Sequence, residues 1–551
     1  MTARSRRGLV IAALALSWRL AIFAEANTAV AADPRDAHDV RIISEQEIKD
    51  RVIDLTIATP AFAAPTKVEV ILPTGYDTHP SRRWPVTYFT AGTMNNYNTY
   101  REFLGGDKLA SAYPSIIVSP DSNSGYWSDW YNGGAFGPPK YETFVIDQLI
   151  ALIDARFRTI AHRAQRAIFG ISMGGYGAMM FAARHPDLFV AAASLSGAVD
   201  SNLTANGAVL SASSTFDGAA PDAIYGPRAE QEVRWRGHNP TDLAANLRGL
   251  DLQVRTANGI LNPGIGEGTA TAGDVPSCVV EGGVHMASVD FHQQLDGLGI
   301  PHVWKDYGPG CHTAPNFKRE VLDTLAVFER VLANPPTPPA TFDYQSIQPH
   351  FDLWGWTVDA DPARALEFLK LDDAGRGGAT FTGSGTTTAT TPAIFRDVLY
   401  VDVVGAGKTR RVIPDEAGRI TFSVDLGAAH PNQQYTAQAR AAGQDAPGYF
   451  TTRTMSFRAH RITAGHLISL ARARSCRRRS LRLRLRHPRG TRVRKATVYV
   501  NGRRARVLTG RSLRGTITLR ALAAGVLRVR VVVQTATGRT FTSRRTYAAC
   551  R

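Results

Sequence analysis

Apolar residues in this chain fall into short runs whose period changes along its length. Lys67-Val68-Glu69-Val70-Ile71-Leu72 alternates with period two, as a strand with one wet face does. Val86-Thr87-Tyr88-Phe89 and Ser115-Ile116-Ile117-Val118 are short and rich in β-branched and aromatic residues, the pattern of parallel strands covered on both faces. Phe144 to Arg156 instead places its apolar residues at helical spacing. Leu252 to Thr256 and Pro301 to Tyr307 read as later strands. Strands and helices mixed in this way predict an α/β domain over residues 32–334.

Pro335-Pro336-Thr337-Pro338-Pro339 marks a stiff linker over residues 335–340. From 341 to 460 the helical period disappears. Val398-Leu399-Tyr400-Val401 and Ile420-Thr421-Phe422-Ser423-Val424 are separated by Gly, Asp and Thr clusters, which predicts a β-sandwich. Trp354-Gly355-Trp356 within it reads as core before it reads as a carbohydrate platform. In residues 461–551, Leu481-Arg482-Leu483-Arg484-Leu485-Arg486 alternates strictly, Asn501-Gly502 marks a tight hairpin, and Val526 to Val533 supplies a late strand. This last module reads as a small immunoglobulin-like β domain with a basic face.

One short stretch carries the chemistry. Ala167-Ile168-Phe169 reads as a buried strand and Gly175 to Arg184 as a helix, ending at His185-Pro186. Between them lies Gly170-Ile171-Ser172-Met173-Gly174, a G-x-S-x-G pattern without a second match in the chain. A serine on so sharp a strand-to-helix turn projects its hydroxyl above the sheet, next to the free N–H groups of a helix N-terminus. The fold class expected is therefore an α/β-hydrolase domain followed by two all-β sandwich-like modules.

The N-terminus adds a compartment. Arg4, Arg6 and Arg7 precede the apolar Leu9 to Leu16, and Ala29-Val30-Ala31 is a cleavage pattern, so residues 1–31 read as a signal peptide. Arg19 interrupts the apolar stretch, and no later run of 18 apolar residues follows, so no transmembrane anchor is expected. The formal charge of +17 is unevenly placed. Residues 471–551 hold 24 of the 64 Lys and Arg and no Asp or Glu, leaving 40 basic against 47 acidic side chains elsewhere. An anionic cell-envelope polymer is the partner such a module would suit. Nucleic acid fits poorly, because the chain reads as exported and the module lacks an aromatic stacking pattern. No CxxC or His/Cys cluster has zinc spacing, so neither metal nor cofactor is expected.

A serine nucleophile needs a base, an orienting carboxylate and an oxyanion hole, in the chain order Ser, acid, His for this fold. His312 meets the requirement for the base, because it lies in the glycine-rich loop Tyr307-Gly308-Pro309-Gly310-Cys311-His312-Thr313 after a strand. The acid commonly follows the strand before the histidine strand, but here Leu252 to Thr256 leads into Ala257-Asn258-Gly259, without a carboxylate. Spacing alone leaves Glu267, Asp274 and Glu281 open.

From Val52 to about Leu332 the chain resembles the secreted serine esterase family that includes the antigen 85 mycolyltransferases. The resemblance rests on Ser128-Asp129-Trp130-Tyr131, Tyr141-Glu142-Thr143-Phe144, the elbow, and the register of Glu281, Phe291 and His312. It implies Glu281 as the acid, with Asp274 the runner-up, and backbone N–H groups of Thr93 and Met173 as the oxyanion hole. With Glu281 and His312 in contact, Cys278 and Cys311 come within bridging reach, leaving Cys476 and Cys550 to clasp the third module. Three positions depart from the family: Ala91 and Met94 stand where mycolyltransferases carry an aspartate and an arginine, and Ala314 where a tryptophan is common. The expectation is an exported or cell-envelope-associated serine carboxylesterase working through an acyl-enzyme on Ser172, on an ester or acylated glycolipid. An acyltransferase to a sugar hydroxyl is the alternative within the enzyme class. A surface-binding protein with an incidental hydrolase domain is the alternative outside it.

Overall fold

The computed structural model describes residues 40–131, 139–268, 274–470, 480–489 and 491–550. The signal-peptide reading of residues 1–31 and the Cys476–Cys550 pairing therefore lie outside the described residues. Among the described residues the α/β domain has nine strands: β1 Arg41–Lys49, β2 Val52–Ala58, β3 Thr66–Ile71, β4 Val86–Thr90, β5 Ile116–Pro120, β6 Arg166–Ile171, β7 Ala191–Leu195, β8 Asp251–Thr256 and β9 Val303–Asp306. They form one sheet in the order β1-β2-β3-β5-β4-β6-β7-β8-β9. The β1 to β3 edge and its join to β5 are antiparallel, and every pair from β5 through β9 is parallel. The central β4, β5, β6 and β7 are buried at every position, as strands covered on both faces must be.

Four helices position the chemistry: α1 Met173–Arg184, α2 Thr204–Ser213, α3 Asp274–Gly297 and α4 Ala314–Ala333. Every residue of α1 is buried, so this helix runs through the core instead of over its surface. Its glycines allow that. A Cβ on Gly174 would overlap the Thr90 carbonyl, and one on Gly170 would overlap the Gly174 carbonyl. The helical run expected from Phe144 to Arg156 is real but opens with a wide π-type segment, Thr143–Leu149.

The two signature stretches brace this helix. Asp129 accepts from the Thr143 N–H (3.0 Å) and holds the Thr143 hydroxyl (2.5 Å). Next to it, Glu142 takes the Arg184 guanidinium at 2.7 Å and the His185 ring at 2.8 Å. Although burial opposes ionisation, the Arg184 guanidinium and the His185 hydrogen bond hold the Glu142 carboxyl well below the usual carboxylate range. His238 is buried against the same group, and burial with Arg184 lowers it to about 3, so its ring is neutral.

Beyond the linker, ten strands between Thr341 and Arg461 form antiparallel sheets of six and four around a shared core. Trp356 is 2% exposed in that core, and Trp354 packs on Phe342 and under Arg163, so neither offers a carbohydrate platform. Among the described residues seven more strands, in sheets of three and four, enclose a separate core. In Leu481–Leu485 the leucines are buried and the arginines exposed, and Asn501 and Gly502 both take positive φ at the hairpin. Among the described residues no helix is long and apolar enough to cross a membrane.

The two glycine environments predict opposite outcomes for one substitution. Gly174→Ala should destabilise by about 2 kcal/mol or more, since backbone must move to admit the methyl. Gly282→Ala on α3 meets open space and should be neutral or stabilise by about 0.5–1 kcal/mol. Urea unfolding of both variants checks the contrast.

Candidate active site

Ser172 joins β6 to α1 with φ 56° and ψ −125°, a conformation that costs a non-glycine residue energy and is kept only where surroundings enforce it. The enforcing contacts are backbone: Ser172 N–H donates to Leu195 O (3.0 Å), and Ser172 O accepts from Ala198 N–H (3.3 Å). The loop Ala91–Met94 lies against the other side, close enough that a Cβ on Gly92 would stand 3.1 Å from Ser172 Cβ. The N–H groups of Thr93, in this loop, and of Met173, first in α1, have no hydrogen-bond partner among the described residues. Two free donors thus sit on either side of the serine.

Glu281 has no exposed surface, and each oxygen is spoken for. Oε1 accepts from the Ala257 N–H (2.8 Å), the Ser196 hydroxyl (2.6 Å) and the Thr256 hydroxyl (3.3 Å). Oε2 lies 2.7 Å from His312 Nδ1. Ala257 and Thr256 are the end of β8. The carboxylate therefore arrives where the fold ordinarily wants an acid, but from the following helix instead of from the strand's own loop. His312 Nε2 is buried without a partner among the described residues, so no hydrogen bond joins it to Ser172. The ring is packed edge-on against Phe317 at 4.8 Å. Ser172 and Glu281 meet through adjacent residues of one strand end: Leu195 holds the first, Ser196 the second.

The other two acid candidates are placed differently. Asp274 opens α3. Glu267 is 6% exposed and accepts from the Cys311 N–H (2.8 Å), the Thr313 hydroxyl (2.7 Å) and the Asn262 N–H (2.7 Å), clasping the residues on both sides of His312. A disulfide between Cys278 and Cys311, Cα atoms 4.3 Å apart, ties the histidine loop to the turn of α3 that carries Glu281. The His312 N–H donates to Ser277 O at 3.1 Å beside it.

No sequence motif marks three further buried residues of the site, Ser196, Asn316 and Glu320. Ser196 has positive φ (44°), and its hydroxyl touches Glu281 Oε1 and also Glu320 Oε1, at 3.0 Å. Asn316 Nδ2 donates to the same Glu320 oxygen at 3.3 Å. Two buried carboxyls joined through one hydroxyl cannot both be ionised. Burial, reinforced by the Glu281 charge, pushes Glu320 well above the usual carboxylate range, so Glu320 holds the proton. Its position in α4, one turn after Asn316, is ordinary helical spacing and gives no motif.

Residues 59–265 match the family model described as putative esterase. An esterase of Mycobacterium tuberculosis is 32% identical over 297 residues, covering 53% of this chain and 62% of that protein. The diacylglycerol acyltransferase/mycolyltransferase Ag85A of Mycobacterium gordonae is 27% identical over 235 residues, 41% of this chain and 66% of that protein. The crystal structure of Mycobacterium tuberculosis MPT51 is 19% identical over 50% of this chain and 97% of its own, with a TM-score of 0.41. The chain thus spans just under two thirds of these curated relatives' lengths. Residues 59–265 are thus similar to the putative esterase family, and the α/β domain is similar in sequence to the esterase and to the Ag85 mycolyltransferase.

Proposed function

We propose that the α/β domain is an exported serine carboxylesterase acting through an acyl-enzyme on Ser172. The observation that carries this reading is the buried, unpartnered Nε2 of His312, on a ring held by Glu281 at 2.7 Å. With its proton on Nδ1 toward the carboxylate, the imidazole offers the Nε2 lone pair as a general base. Ser172 Oγ attacks the ester carbonyl as its proton passes to Nε2, a contact that tightens once substrate is bound. The free amides of Thr93 and Met173 receive the oxyanion. His312 then protonates the leaving alcohol, and water repeats the sequence on the acyl-enzyme to release the free acid.

The surroundings favour an acyl group with hydrocarbon character. Met94, beside the Thr93 amide, is 74% exposed, and Val275, Val279 and Val280 stand exposed on the turns of α3 before Glu281. Ala91 and Met94 supply no polar side chain beside the oxyanion loop. A sugar acceptor would have to be oriented without the contacts that let an acylated serine prefer it over water.

The third module is assigned an anionic polymer as its partner. Between it and the second module lies a cleft of about 1720 Å³, lined by Arg489, Arg492, Arg494, Arg511 and Arg514 with Asp415 and Glu416 opposite. Asp415 already pairs with Arg419 at 2.8 Å, and the other five guanidiniums have no carboxylate partner among the described residues. Among the described residues no Phe, Tyr or Trp lines the cleft, so it offers repeating charge with little stacking surface for bases.

Three measurements test these readings. On a chromogenic ester, Ser172→Ala and His312→Ala should each lower kcat by about 10⁴-fold or more, and Glu281→Gln by about 10³–10⁴-fold. In the same panel Glu320→Gln should stay within about threefold of the parent, since an amide donates to Ser196 as the protonated acid does, while Glu320→Ala costs about tenfold or more. A Glu320→Gln variant as crippled as Glu281→Gln would mean that Glu320 is ionised.

Product analysis separates hydrolysis from transfer. Free acid should dominate from simple esters and change little when trehalose is added in excess; a dominant acyl-trehalose product would establish the transferase.

Retention on an immobilised uronate polymer should fall sharply when Arg492, Arg494, Arg511 and Arg514 are changed to Gln. Changing Arg482, Arg484, Arg528 and Arg530 on the strands should have the smaller effect, and salt should weaken parental binding. Equal losses would reduce the cleft to part of a generally basic surface, and preferential retention of single-stranded DNA would replace the partner class.

A further inference from the structure

The end of α3 farthest from Glu281 holds a cluster that the esterase reading leaves unused. His292 and Asp296 lie one helical turn apart on α3, and His302 immediately precedes β9, the edge strand of the sheet. One ligand atom from each of the three falls within 4.8 Å of the others. His292 is eleven residues beyond Glu281, about 16 Å along the helix axis. No CxxC or paired-histidine spacing marks these residues in the sequence, since the third ligand enters from a different element.

The proton count of the cluster is incomplete. His302 Nδ1 lies 2.9 Å from the Ile300 carbonyl, which can only accept, so Nδ1 carries a proton and the neutral ring's Nε2 is a lone pair. That lone pair faces His292 Nδ1 at 2.7 Å. The other nitrogen of His292, Nε2, lies 3.5 Å from Asp296 Oδ2. A neutral His292 has one proton for two positions that both need one. Placed on Nδ1, it satisfies His302 and turns the Nε2 lone pair toward a carboxylate. Placed on Nε2, it leaves two lone pairs facing each other at 2.7 Å. One more positive charge completes the group.

The geometry of the cluster suits a metal ion in that role. The His302 ring is oriented by its backbone acceptor, as ligating histidines commonly are. The His292 ring is held by stacking on Trp304, centroids 4.4 Å apart and planes 2° from parallel. His292 and Asp296 side chains are 23% and 64% exposed, which leaves an entry path and room for water ligands. We propose that His292, Asp296 and His302 bind one divalent transition cation of the zinc class, stapling the C-terminal turn of α3 to the edge strand. Two imidazoles and a carboxylate are a borderline nitrogen–oxygen set that Zn²⁺, Ni²⁺ and Cu²⁺ accept and that Mg²⁺ or Ca²⁺ does not favour. Seating the ion requires the two facing nitrogens to part by about half an ångström, given metal–nitrogen distances of about 2.0–2.1 Å. Both side chains end on partly exposed surface and can turn that far.

The test uses the full chain after treatment with EDTA and desalting. Calorimetric titration with ZnCl₂, and separately with NiCl₂, should give one site with Kd of about 10 µM or tighter. His292→Asn and His302→Asn should each weaken it at least about tenfold, and Asp296→Asn by a smaller factor. Titrated CuCl₂ should quench tryptophan emission; Trp304→Phe should remove most of that change while calorimetric binding persists. Far-UV circular dichroism in EDTA establishes that each variant is folded. Absence of binding below about 100 µM would overturn the proposal and leave the pair to be completed by a second proton on His292. Stoichiometric binding that survives the double change His292→Asn/His302→Asn would overturn it too, by placing the ion elsewhere.

Discussion

A carboxylate with no exposed surface is the constraint on which the rest of the site depends. Removing an ionised group from water costs several kcal/mol unless its hydration is replaced by directed donors. For Glu281 the replacements come from separate parts of the chain: the Ala257 amide and Thr256 hydroxyl at the end of β8, Ser196 at the end of β7, and His312 after β9. Each must arrive within hydrogen-bond reach at once. The disulfide and the Glu267 clasp fix the histidine loop before any substrate enters, so the order of the site is a property of the fold.

Glu320 extends that constraint one layer deeper. A second ionised carboxylate behind Ser196 would repel Glu281 across a single hydroxyl and compete for its only proton. Kept protonated by burial, Glu320 can donate to Ser196, and the serine's hydrogen is then committed to Glu281. The strained φ of Ser196 is the cost of aiming one side chain between two acids. A hydrogen-bond chain therefore runs inward from His312 and ends at a neutral group, which leaves the site with one buried negative charge, not two.

The parts of this arrangement that were legible in the sequence are those whose chemistry is local. The elbow is five consecutive residues, and the histidine loop is a glycine-rich run after a strand, so both could be placed without tertiary information. The acid could not be derived from spacing, because Glu281 reaches the end of β8 from a helix turn 24 residues after Ala257. Only resemblance singled it out. Ser196 and Glu320 left no trace, since 124 residues separate two groups whose contact exists only in the folded chain. The signature residues Asp129 and Glu142 lie ahead of the elbow in sequence, yet their contacts are structural, anchoring the far end of α1 through Thr143 and Arg184.

The far end of α1 is also where the second module meets the α/β domain. The Tyr344 hydroxyl donates to Arg184 O at 2.7 Å, Asn246 exchanges two hydrogen bonds with the Gln345 backbone, and Ile347 lies within the hydrophobic core of the α/β domain. Arg184 is the last residue of the helix that begins beside Ser172, and its side chain is the partner of buried Glu142. The second module therefore covers the end of the helix that begins beside Ser172, where a free surface would leave Ile347's neighbours in water. The third module differs in kind. Its core is separate, with Leu399 of the second module packed against its edge, and among the described residues Asp397 ties the two by accepting from the Thr537 hydroxyl and, through its carbonyl, from the Ile462 N–H. The first two modules thus share buried structure, whereas the basic module meets the second at a cleft with arginines on its own side and Asp415 and Glu416 opposite.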